Sequence, residues 1–134
     1  MRKTLVLLAA LFLFGATSAL AQKVTPGEYY SDYGTVTVKP SSTAKALDFS
    51  ITIETKQGCT GELEGTAKLA RSKNVYAWEE KLPEDSPYGK GARYRLEFTV
   101  IGSKITVKES SPGANHAVTT YRGQNCTFNG LYKK

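Results

Sequence analysis

Cys59-Thr60-Gly61-Glu62-Leu63-Glu64-Gly65-Thr66-Ala67-Lys68-Leu69 alternates at period two. Cys59, Gly61, Leu63, Gly65, Ala67 and Leu69 share one face, and Thr60, Glu62, Glu64, Thr66 and Lys68 share the other. This is the pattern of a strand with one buried and one wet side. The inner face carries glycine and alanine where valine or isoleucine is usual. Small inward residues admit a neighbouring backbone or a bulky ring, and strand glycines mark places where a sheet curls. The second cysteine opens a similar run, Cys126-Thr127-Phe128-Asn129-Gly130-Leu131-Tyr132, which reads as a strand lying beside the first. The expectation is a β-sheet curled around these two strands and pinned at Cys59 and Cys126.

Working outward, the pattern is β from Gly27 to the end. Gly27-Glu28-Tyr29-Tyr30-Ser31-Asp32-Tyr33 is a first strand, with Gly34 a bulge or turn. Thr35 to Lys39 alternates and stops at Pro40-Ser41-Ser42. Leu47, Phe49, Ile51 and Ile53 alternate with polar residues, and Lys56-Gln57-Gly58 turns that strand into the Cys59 strand as a hairpin. Val75 to Glu80 is a strand with Tyr76 and Trp78 on one face. Ala92, Tyr94, Leu96, Phe98 and Val100 alternate, and Gly102-Ser103 turns them into Lys104 to Lys108. The inward set is Leu47, Phe49, Ile51, Ile53, Leu63, Ala67, Leu69, Leu96, Phe98, Val100, Ile105, Val107 and Phe128. No window carries a sustained helical period, and Ala117 to Gly123 favours extended structure.

About eight strands in meander order, with one wet face, must close or fold over to bury the other. The fold class is therefore all-β, a single antiparallel meander barrel, with a two-sheet sandwich as the alternative. Gly27-Glu28-Tyr29 and Gly130-Leu131-Tyr132 are placed to complete the barrel as adjacent first and last strands. Phe49, Phe98, Phe128, Tyr94 and Tyr132 suffice to fill a small barrel, which disfavours a lipocalin-like ligand cavity.

The chain opens Met1-Arg2-Lys3, then an apolar run from Leu5 to Phe14, then Ala19-Leu20-Ala21. A basic end, a short apolar core and an A-x-A site together predict a signal peptide over residues 1–21, cleaved after Ala21. The run is too short to span about 30 Å of hydrocarbon. The mature domain is then 22–134, a monomer in the periplasm or outside the cell without stable membrane insertion. The net charge of +6 falls by two on cleavage and its lysines and arginines are scattered, unlike the one-sided basic face of a nucleic-acid binder. Lys133-Lys134 reads as a solvated end.

Two cysteines in an exported chain are expected to be oxidised together, a Cys59–Cys126 bridge worth roughly 4 kcal/mol in the chain-entropy model. Metal ligation or thiol catalysis would need partners, and the sequence offers one histidine, His116, and no CxxC. No cofactor and no metal site is expected. Asn125-Cys126-Thr127 matches a glycosylation sequon that a bridged cysteine would crowd. Glu62 and Glu64 are an ordinary charged outer face. No catalytic motif is present. The enzyme alternative is a small ribonuclease using a Glu, an Arg and His116, although such enzymes carry a helix that this pattern lacks.

What remains is protein binding. The Pro- and Gly-rich loop Pro83–Gly91 presents Lys90, Gly91, Arg93 and Tyr94, and arginine and aromatic residues are common interface anchors. Over Gly27 to Tyr132, on the motifs Cys59-Thr60-Gly61-Glu62-Leu63-Glu64-Gly65-Thr66-Ala67 and Cys126-Thr127-Phe128-Asn129-Gly130-Leu131-Tyr132, the chain resembles small exported bacterial β-barrel proteins of unassigned function. Gly91-Ala92-Arg93-Tyr94 is similar to the Ser-Gly-x-x-Tyr loop of periplasmic lysozyme inhibitors, which enters the lysozyme cleft near the catalytic carboxylates. Lys90 stands where that motif has Ser. The resemblance implies an exported inhibitor of a cell-wall hydrolase, with Gly91, Tyr94 and Arg93 at the contact. An envelope-associated structural protein is the other non-catalytic reading.

Overall fold

A computed structural model describes residues 24–134, so the expected signal peptide and its cleavage site lie outside the described residues. Eight strands follow one another: β1 Gly27–Tyr30, β2 Gly34–Pro40, β3 Ala46–Glu54, β4 Thr60–Leu69, β5 Val75–Lys81, β6 Arg93–Ile101, β7 Lys104–Ser110 and β8 Gly130–Lys133. Each pairs antiparallel with the next and β8 pairs with β1, so the sheet is a closed meander barrel and not a sandwich. Closure satisfies both edges of the sheet at once. The described residues contain no helix.

The period-two sets point inward as their patterns require. Tyr29, Val36, Leu47, Ile51, Leu96, Phe98, Ile105 and Phe128 are among the fully buried side chains, with Tyr94 and Tyr132. Leu69 is the exception in the expected inward set and is only half-buried at the end of β4. Two of the buried tyrosines satisfy their hydroxyls on nearby backbone: Tyr29 donates to the Thr25 carbonyl at 2.7 Å and Tyr132 to the Phe128 carbonyl at 2.9 Å.

The glycines of β4 have the close neighbours that their inward register anticipates. A Cβ on Gly65 would stand 2.8 Å from Trp78 Nε1, and one on Gly61 would stand 2.9 Å from Arg122 Cβ. Phe98, Phe49 and Trp78 pack in sequence from the core outward, at centroid distances of 4.6 and 6.2 Å. Trp78 then meets Tyr94 at 6.2 Å and Tyr121 at 5.8 Å.

β4 and β5 pair only at Lys68↔Ala77 and Leu69↔Tyr76, and diverge beyond. The resulting seam is closed by a non-strand segment. Glu62 N–H donates to the Tyr121 carbonyl, Gly123 N–H to the Thr60 carbonyl, and Gly61 bridges Arg122. Residues 121–123 therefore supply backbone partners that β5 does not give β4.

Two boundaries and one strand placement differ from the sequence reading. β1 ends at Tyr30, because Ser31 N–H turns back to the Gly34 carbonyl at 2.9 Å. β8 starts at Gly130 and not at Cys126, and it lies between β7 and β1 and not beside β4. The cysteines explain this: the Cys59–Cys126 bridge, with Cα atoms 6.0 Å apart and 67 positions of chain between them, joins two loops. Cys126 has to leave the sheet to reach Cys59. Asn125, at φ 62°, turns the chain there.

Candidate functional site

Strand direction puts the links 31–33, 55–59, 82–92 and 111–129 at one end of the barrel, and 41–45, 70–74 and 102–103 at the other. The long loops, the disulfide and the seam therefore gather at a single end. Loops carry function when a rigid scaffold holds them.

The 82–92 loop is tied down along its length. Its ends, Leu82 and Ala92, are buried and joined by Leu82 N–H to the Ala92 carbonyl at 2.9 Å. Asn115 N–H donates to the Tyr88 carbonyl at 3.0 Å, and Arg93 N–H donates to the Pro112 carbonyl at 2.9 Å. The Tyr88 hydroxyl accepts from Thr119 N–H at 3.1 Å, and its ring packs on His116 at 4.9 Å. Hydrogen bonds from Thr119 hold that hydroxyl below its ordinary pKa. Gly91 takes φ +77°, and Gly113 packs so tightly that a Cβ would lie 2.7 Å from the Gly91 carbonyl oxygen. The two loops thus interlock at their glycines.

The four expected binding residues are divided between two faces. Lys90 and Gly91 are exposed at the loop tip. Arg93 points outward from β6 and pairs with Glu79 at 3.2 Å, in a surface chain that continues through Arg95 and Glu97 to Arg71. Tyr94 points inward and is fully buried, so it offers a partner no surface. The alternation that makes β6 a strand sends consecutive residues to opposite sides, and this separates Arg93 from Tyr94.

Tyr94 instead belongs to a cluster that the sequence reading missed. Its hydroxyl donates to Glu109 at 2.9 Å, and Phe128 N–H reaches the same carboxylate at 3.3 Å. Arg122 Nε stands 2.7 and 2.9 Å from the two Glu109 oxygens, and both side chains are 7% exposed. Burial and the adjoining Glu109 carboxylate drive the Tyr94 hydroxyl far above the ordinary tyrosine range. Glu109 continues the inward row Ile105, Val107 into the barrel's loop end. An acid at an inward position of an otherwise apolar row was the available signal. Arg122 lies in irregular chain, where no period points to it.

Glu109 accepts from Arg122, Tyr94 and Phe128 at once, so each of its oxygens is engaged within the protein. His116 is exposed and packs against Tyr88, and it lines an open depression together with Thr119 and Arg122. Among the described residues, no group of three His, Cys, Asp or Glu could hold a metal ion. Beside the disulfide, Tyr33, Ile53, Cys59, Cys126 and Tyr132 line an open depression of about 840 Å³. No family model, curated protein or solved structure matches the chain.

Proposed function

We propose that the chain is an exported, non-catalytic protein-binding module that uses the loop end of the barrel, and that its partner class is a cell-wall hydrolase with an acidic catalytic cleft. The observation that carries this reading is the clamped geometry of the Lys90-Gly91 tip. Backbone hydrogen bonds from the 111–119 region hold the tip's approach at Tyr88 and its exit at Arg93. A tip ordered before binding loses little conformational entropy on docking. Lys90 is an exposed cation on that tip, and Arg93 stands two residues from Gly91 on the adjoining outer face. Arg93 shares Glu79 with Arg95, and a surface pair of this kind is worth only about 0–1 kcal/mol, so its guanidinium is cheaply redirected to another carboxylate. Cations entering a cleft beside paired carboxylates gain from the low local dielectric. The lysozyme-inhibitor resemblance is kept on Gly91 and Arg93, with Lys90 in the place of the motif's Ser and Tyr94 as the buried anchor beneath them.

The test mixes the purified protein with lysozymes of several types and follows lysis of cell-wall suspensions. Inhibition that falls at least tenfold in Lys90→Ala and Arg93→Ala, with the fold intact, is the expected result. Unchanged lysis with every lysozyme type removes the hydrolase. An RNA arm run in parallel covers the ribonuclease alternative, for which cleavage abolished by His116→Ala is required.

A further inference from the structure

The outer face of β1, β8, β7 and β6 carries a row of four directly opposed residues. Tyr30 pairs with Lys133, Lys133 with Lys104, and Lys104 with Ile101. Members of an antiparallel pair point to the same side of the sheet, so all four side chains stand together on the barrel's exterior. The neighbouring outward positions add Leu131, opposite Thr106, and Lys108.

Two features of this patch are unusual. Like charges directly opposed across a strand pair destabilise it, yet Lys104 and Lys133 face each other, and neither they nor Lys108 enters an ion pair among the described residues. Two acids on the same wall have partners of their own. Glu28 accepts the Tyr30 hydroxyl, and Glu97, opposite Lys108, is held by Arg95 and Arg71. The lysines are also bordered by three of the four large exposed apolar residues of the described chain: Tyr30 at 52%, Ile101 at 61% and Leu131 at 45%.

The opposite wall of the barrel has the reverse charge. On β3 and β4, Asp48, Glu54, Glu62 and Glu64 point outward among serine and threonine hydroxyls, and Lys68 is the one cation on these outward rows. With eight strands in a ring, β3–β4 lies half a turn from β7–β8. The modest net charge therefore conceals a polarised molecule, cationic and apolar on one wall and anionic and hydroxylated on the other.

We propose that the β1–β8–β7–β6 wall is a peripheral docking surface for an anionic lipid bilayer. Lys104 and Lys133 seat lipid phosphates, while Tyr30, Ile101 and Leu131 rest at the headgroup boundary. Lysine attracts anionic headgroups, and tyrosine and aliphatic side chains favour the interface. The apolar border distinguishes this surface from a site for a soluble polyanion, which would leave those side chains in water. The acidic wall is repelled by the same bilayer, which orients the barrel with β7–β8 facing it. Lys133, which read as part of a solvated basic tail, thereby acquires a ligand, whereas Lys134 donates to the Pro26 carbonyl.

Cosedimentation with vesicles tests this, using phosphatidylcholine alone and an equal mixture with phosphatidylglycerol. The protein is expected to pellet with the anionic vesicles only. Lys104→Ala with Lys133→Ala should weaken that partition about 25-fold, at about fivefold per lysine. Ile101→Ser with Leu131→Ser should also lower it, and should leave residual binding that salt abolishes. The lysine variant relieves a repulsion, so its melting temperature should match or exceed the parent's, which separates lost binding from lost folding. Equal pelleting with neutral vesicles, no pelleting with either, or unaltered binding by the lysine variant overturns the proposal. Displacement by millimolar inorganic phosphate overturns it in favour of a small-anion site. Low-salt self-association that vanishes in the lysine variant overturns it in favour of the acidic wall of a second copy.

Discussion

Arg122 reaches Glu109 from thirteen positions further along the chain, and this pair fastens the segment that crosses the β4–β5 seam to the inward face of β7. A buried pair of this kind gives little net stability relative to an apolar replacement, but losing one partner strands the other charge. Arg122→Ala is expected to cost about 3–5 kcal/mol in denaturant unfolding. Arg122→Met combined with Glu109→Gln should cost less than Arg122→Ala alone. A loss under about 1 kcal/mol for Arg122→Ala would mean that water reaches Glu109 and that the seam closes without the pair.

The disulfide holds the same segment from its other side. Reduction, or Cys59→Ala with Cys126→Ala, is expected to lower stability by roughly 4 kcal/mol, less any strain relieved. Intact mass before and after reduction and alkylation checks that both thiols are engaged. Hydrogen exchange should then locate the earliest opening in residues 119–125, because β1 to β7 keep their own ladders. Uniform opening across the barrel would contradict a local role for the bridge.

Gly65 is inward, and its missing side chain is the space that Trp78 occupies. Gly65→Ala is expected to destabilise by about 1–3 kcal/mol through displacement of the indole. Trp78 is the chain's one tryptophan, so its fluorescence reports the displacement directly. Glu64→Ala, on the wet side of the same strand, should change stability by less than about 0.5 kcal/mol. Similar effects at the two positions would show that the register of β4 is shifted by one.

Tyr94 supplies a pH dependence whose sign follows from its burial. Its hydroxyl is raised above the ordinary value of 10.0 in the folded state. The unfolded chain therefore releases this proton first as pH rises, and the folded state retains more protons. Stability from this group is complete below pH 10 and declines progressively above it. Denaturation midpoints measured from pH 8 to pH 11 should fall at the alkaline end, and less steeply in Tyr94→Phe. Tyr29, Tyr76 and Tyr132 are raised by burial as well, so Tyr94→Phe reduces the slope without abolishing it.

Much of the barrel was legible because a strand's pattern is local. Side-chain direction alternates with every residue, so Leu47 to Ile53, Ala92 to Val100 and Ile105 to Val107 declare their buried faces without reference to anything distant. The small residues of β4 likewise announced close neighbours, and Gly102-Ser103 announced its hairpin. The cost of leaving one apolar face and two edges in water favoured a closed barrel and left a two-sheet sandwich as the alternative, and the pairing of β8 with β1 decides for closure.

The tertiary structure decided what depends on partners far apart in the chain. The sequence offered Tyr94 both as a barrel-filling side chain and as a contact residue beside Arg93, and the structure keeps the first and adds its partner, Glu109. The Cys126 segment looked like a strand, but its bridge to Cys59 draws it out of the sheet and delays β8 to Gly130. Arg122 sits in an aperiodic stretch, and only the divergence of β4 from β5 gives that stretch its place. The row Tyr30, Lys133, Lys104 and Ile101 is spread over four strands, so its members become neighbours only when the sheet closes. Periodicity reports which way a side chain faces relative to its own backbone. It contains no information on which other side chain arrives there, because that is settled by register and closure across the whole barrel.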